Sequence, residues 1–151
     1  MKYRSSRGFT LIELLITLAV TAVLLTTALP AFTGSLRKAR RVEAVSALMQ
    51  VQLAQERWRS DHTAYADSPG DIGVKLGAGG KTPGGHYAIT IENASAVSYT
   101  AVATAQADSS QSGDTACRVL RMTASNGDFM YSSSDAAGHE DKAAATRCWM
   151  R

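Results

Sequence analysis

The chain has 151 residues, 45% of them hydrophobic and 19% charged, with a formal charge of +3 and two cysteines. That length suits one modest domain with a short extra segment. The charge excess resides in Lys2, Arg4 and Arg7; without these three, 13 basic residues face 13 acidic ones, which excludes a surface that is basic throughout but leaves room for a local patch.

Met1–Gly8 is short and basic, and residues 9–29 are apolar apart from one charge, Glu13. As a helix those 21 residues span about 31 Å, matching a hydrocarbon core of about 30 Å, so they are expected to cross a membrane. A secretory signal cut after Ala28 fits less well, because the apolar run is too long and Glu13 sits where such signals carry hydrocarbon. A twin-arginine signal would need a second arginine beside Arg7, which is absent. A carboxylate costs about 2.5–3.5 kcal/mol at mid-membrane and less near an end. Nothing cationic lies in the segment, so the nearest partner for Glu13 is the amine that cutting before Phe9 would create.

Pro30 lacks an amide hydrogen and Gly34 weakens a helix, so Pro30–Gly34 is expected to act as a hinge. Helical character resumes over Arg37–Arg59, with Val42, Val45, Met49 and Leu53 on one face and Leu48, Val51 and Trp58 on others. The segment from His62 to His86 carries seven glycines and two prolines, which predicts an irregular connection. Alternation then predicts strands around Tyr87, Ile89 and Ile91 and around Val97, Tyr99 and Ala101. A third strand is expected over Cys117–Thr123, with Asn126-Gly127 turning into a fourth at Asp128–Tyr131. An antiparallel sheet packed on the helix follows. The polar tail Ser132–Arg151 is pinned if Cys117 and Cys148 pair, which would contribute about 3–4 kcal/mol for a loop of this size. Two spare thiols are the alternative, and two cysteines cannot by themselves complete a zinc site.

Arg7-Gly8-Phe9-Thr10-Leu11-Ile12-Glu13 resembles the class III leader junction of type IV pilins and type II secretion pseudopilins. The resemblance implies an α+β pilin fold, a long N-terminal helix on a small antiparallel head. It divides the chain into a leader (1–8), a membrane and filament-core helix (9–29), a hinge and amphipathic helix (30–60) and a head with a disulfide-bounded tail (61–151). It also implies cleavage between Gly8 and Phe9 by a prepilin peptidase, N-methylation of Phe9, an assembly role for Glu13 against a neighbour's amine, and a helix kink at Pro30. Ala22 departs from the glycine of many major pilins. Implied partners are other pilins, major and minor, met through the N-terminal helix, and an inner-membrane assembly platform. The implied location is the bacterial inner membrane with the head in the periplasm, then the pilus at the cell surface.

The stretches Arg41–Ala44 and Gln55–Trp58, Tyr65 and the Cys148-Trp149 ending narrow the resemblance to PilE-type minor pilins of the type IVa system. The function this implies is priming of pilus assembly, and through it twitching motility and adhesion. A type II secretion pseudopilin is the alternative. A further reading, disfavoured by the neutral mature charge, is a DNA-binding pilin using Arg118, Arg121, Arg147 and Arg151. No enzyme is expected. Ser35-Leu36-Arg37-Lys38 fits a Ser-x-x-Lys pattern without its companion motifs, and Gly77–Thr82 lacks the first glycine of a phosphate loop, which falls on Lys75. His139-Glu140-Asp141 lies in a polar tail, where a solvated loop outweighs a metal site, and His62 and His86 are isolated. No cofactor or metal is expected.

Overall fold

The computed structural model describes residues 8–140 and 147–149. Helix α1, Leu11–Arg59, is followed by strands β1, Tyr87–Glu92; β2, Ser98–Ala105; β3, Val119–Ser125; and β4, Asp128–Ser134. The chain divides into two compact units, one ending at Leu36 and the other beginning at Arg37.

In the first unit the residues from Phe9 to Thr33 are all exposed. Hydroxyls here turn inward on their own helix. Thr17 donates to the Leu14 carbonyl at 2.9 Å, Thr21 to Thr17 at 2.7 Å, Thr26 to Val23 at 2.7 Å and Thr27 to Leu24 at 3.0 Å. The hydrogen-bonded helix is not interrupted at Pro30–Gly34. Pro30 forfeits one backbone bond, while Thr33 and Ser35 hydroxyls bond the Pro30 and Ala31 carbonyls at 2.9 and 3.1 Å.

In the second unit the four strands form one antiparallel meander in the order β1-β2-β3-β4. Strict alternation in β1 buries Tyr87, Ile89 and Ile91 and turns Thr90 and Glu92 outward. The same face continues through Tyr99, Ala101 and Ala103 of β2 and Leu120, Met122 and Ala124 of β3, and the helix covers it. The helical residues that do so include Leu48 and Val51, two of those placed on the other faces, while of the Val42, Val45, Met49 and Leu53 face only Val45 packs against the core. Ala44, Ala47, Leu48, Val51 and Gln55 are buried, whereas Val42, Met49 and Leu53 stand 48%, 49% and 61% exposed. The buried helical positions thus combine two alanines with Leu48, Val51 and Gln55, packed in one core with Tyr87, Tyr99 and Met122 of the sheet.

Expected strand limits also shift: β3 runs on to Ser125 and β4 to Ser134, into the expected tail. Thr115–Cys117 forms a 3-10 turn, so β3 starts at Val119. Val97 lies in the β1–β2 turn, where the Ser95 hydroxyl accepts from the Val97 and Ser98 amides at 3.2 and 2.9 Å. Asn126 and Gly127, at φ 51° and 89°, make the turn into β4 that the Asn-Gly pair predicts. The connection 62–86 has only a 3-10 turn at Ala78–Gly80. It is held to the helix by the buried Gln55 side chain, which pairs with Ala66 as a strand backbone would: Nε2 donates to the Ala66 carbonyl at 2.7 Å and Oε1 accepts its amide at 3.0 Å.

Candidate functional site

The first unit presents an apolar surface with one charge. An 18-residue window of α1 has mean hydropathy 2.2 and none of it is buried. Phe9, Leu11, Ile12, Leu14, Leu15 and Ile16 surround Glu13 and are 57–78% exposed. The Thr10 hydroxyl accepts from the Glu13 amide at 3.3 Å, closing the helix start one turn before the carboxylate. The first basic residue after Glu13 is Arg37, so among the described residues of this unit its carboxylate has no counter-charge. Gly8 and Phe9 precede the helix and are exposed. Met1–Arg7 lie outside the described residues.

In the second unit the polar groups concentrate where α1 meets the β2–β3 connection. Arg41 makes a two-pronged pair with Asp114, Nε to Oδ2 at 2.6 Å and Nη2 to Oδ1 at 2.8 Å, and both side chains are nearly buried. Gln111 Nε2 donates to Asp114 Oδ2 at 2.8 Å and to the Tyr87 hydroxyl at 2.9 Å. Burial, reinforced by the Asp114 carboxylate, pushes the Tyr87 hydroxyl up to about 12, although Gln111 and Arg41 act against this. Burial also pushes Tyr99 up, with Glu56 next in effect. This network escaped sequence reading because its members lie 73 residues apart and no short motif joins them.

Cys117 and Cys148 are joined in a disulfide with Cα atoms 5.7 Å apart. Arg41 Nη1 also reaches the Arg147 carbonyl at 3.5 Å, so it touches the same two segments that the disulfide joins. The arginines singled out from sequence have separate engagements. Arg121 is half-buried and donates to the Ser134 hydroxyl at 2.8 Å; the Arg118 carbonyl accepts from the Ala105 amide at 2.8 Å; Arg147 is exposed; Arg151 lies outside the described residues. His139 pairs with Asp135 at 3.1 Å, and this bond holds the Asp135 carboxyl below the usual range. His62 stacks on Trp58, with ring centroids 3.6 Å apart.

Comparison with known proteins bears on both units. A family model for the prokaryotic N-terminal methylation motif matches residues 3–29. A model described as "Type IV minor pilin ComP, DNA uptake sequence receptor" matches residues 30–121. The chain belongs to the type IV pilin family. A relative, the type IV wide pilus major component PilA4 of Thermus thermophilus, is 30% identical over 100 residues, covering 66% of this chain and 74% of its own. The long N-terminal helix and the four-stranded antiparallel sheet are those of a type IV pilin. The apolar helix fits membrane anchoring before entry into a pilus, and assembly with other pilins belongs to the family.

Proposed function

We propose that this pilin is a minor subunit, cut between Gly8 and Phe9 and methylated on Phe9, that primes assembly of a type IV pilus and so supports twitching motility and adhesion. The observation that carries this reading is the wholly exposed apolar surface of residues 9–33 with Glu13 at its start. In water that surface would aggregate; in lipid or among copies of the same helix it is covered. Glu13 then supplies register, because a misplaced neighbour leaves a carboxylate unpaired in apolar surroundings. In the bilayer the chain would span the inner membrane with its head in the periplasm.

Mass spectrometry of sheared filaments and culture supernatant, from a deletion strain and its parent, tests the role. Loss of pili with secretion intact, and traces of this chain in parental pili, are expected. Loss of secreted enzymes with pili intact would make it a pseudopilin instead.

The match to a DNA uptake sequence receptor over residues 30–121 favours a second reading, capture of duplex DNA by the head. Binding would then weaken steeply with salt, as released counterions dictate. Absence of binding at low salt would remove this reading and leave the first untouched.

A further inference from the structure

Glu13 is the only charge between Phe9 and Leu36, and then Arg37, Lys38, Arg40 and Arg41 follow within five residues. Only one of the four is spoken for by an acid. Arg41 holds Asp114. Arg40 donates to the neutral Ser110 hydroxyl at 2.6 Å, the Arg37 guanidinium lies against Gly113, and Lys38 is exposed. Among the described residues none of these last three pairs with a carboxylate. At 100° per residue the four side chains occupy an arc of about 160° with Arg41 inside it, so the three uncompensated cations flank the point at which the helix is tied to the head.

Their position along the chain says what they meet. From Leu11 to Arg37 a helix rises about 39 Å, close to the roughly 40–45 Å of a bilayer with its headgroups. If the apolar segment spans, these cations reach the phosphate layer beside the head. We propose that Arg37, Lys38 and Arg40 bind the phosphates of anionic phospholipid in that leaflet and hold the unassembled pilin at a fixed depth. The inference rests on the membrane-anchored reading above. Juxtamembrane cations are drawn to anionic lipid within about one Debye length, about 8–10 Å. The two arginines lean on the turn at Ser110 and Gly113, so less side-chain freedom is lost when they bind.

The test uses the full mature chain in nanodiscs of phosphatidylcholine doped with phosphatidylglycerol, with retained lipid counted by native mass spectrometry. Entry into pure phosphatidylcholine discs checks the membrane reading separately. Phosphatidylglycerol is expected to be retained about tenfold over phosphatidylcholine, and the preference should fall to parity with Arg37→Gln, Lys38→Gln and Arg40→Gln combined. Arg37→Lys with Arg40→Lys should keep it, and near-ultraviolet circular dichroism shows whether each head is folded. Equal retention of both lipids by the wild type would overturn the proposal, as would an unchanged preference in the folded triple variant. Duplex DNA bound in neutral discs and displacing phosphatidylglycerol from the wild type, but not bound by the triple variant, would reassign the cations to nucleic acid and overturn it too.

Discussion

Arg41 and Asp114 show how much can hang on one buried pair. A charge left alone in the interior costs far more than the pair gains, because its desolvation is no longer offset. Arg41→Met is therefore expected to destabilise the head by about 3–5 kcal/mol, and a chemical denaturation midpoint measures it. Replacing both residues with apolar ones of similar size should recover much of that loss; equal damage in single and double variants would show that the pair is not the cause. The buried tyrosines set an alkaline limit. Tyr87 rises from an ordinary 10.0 to about 12 in the folded head, so below pH 10 its contribution is complete. Between pH 10 and about 12 the unfolded chain loses the phenolic proton while the folded one keeps it. Stability should therefore fall across that window by about 2–3 kcal/mol for this residue, read from phenolate absorbance and helicity together.

At the scale of elements, the second half of α1 carries two unlike faces. The inner one, Ala44, Ala47, Leu48, Val51 and Gln55, is buried in the head; the outer one, Val42, Met49 and Leu53, is bulky and about half or more exposed. An exposed apolar face of this kind on a folded head marks a contact surface for another subunit. Leu53→Glu should leave the melting temperature of the isolated subunit within about 2 °C yet reduce incorporation into filaments several-fold. A marked loss of stability would mean that the outer face serves the head itself. The strands were legible in the sequence because the segments of β1 and β2 alternate and Asn126-Gly127 leaves few other turns. The helix face was not. Hydropathy ranks valine and leucine above alanine, yet the buried face includes Ala44, Ala47 and Gln55 while Val42, Met49 and Leu53 stay exposed. The connection 62–86 was recognisable as irregular, but its tether through Gln55 was hidden, because a buried glutamine reads as a surface residue until its two partners on Ala66 are seen.

For the molecule as a whole, the N-terminal methylation motif was readable because its residues are contiguous in sequence. The head's closure was only half readable, since a cysteine pair announces a disulfide without announcing the Arg41 clasp beside it. Both join the segment around Asp114 and Cys117 to that around Arg147 and Cys148. Cys117→Ser is expected to lower the melting temperature by about 10 °C or more, from about 3–4 kcal/mol of lost constraint. Combining it with Arg41→Met should cost less than the sum of the two single effects, because each link holds the other's ends in place and each single loss already weakens the other. Strict additivity in that cycle would show the two links to be independent.

The threonine hydroxyls of the first unit have a consequence for transport. Thr17, Thr21, Thr26, Thr27 and Thr33 each donate to a carbonyl of their own helix, so each carries its hydrogen-bond partner with it wherever the helix goes. Moving from hydrocarbon to a protein interior then obliges none of these groups to break one bond and find another. The surface is chemically indifferent to which apolar medium surrounds it, and the choice between the two is left to shape complementarity and to a single ionisable side chain near the start of the helix.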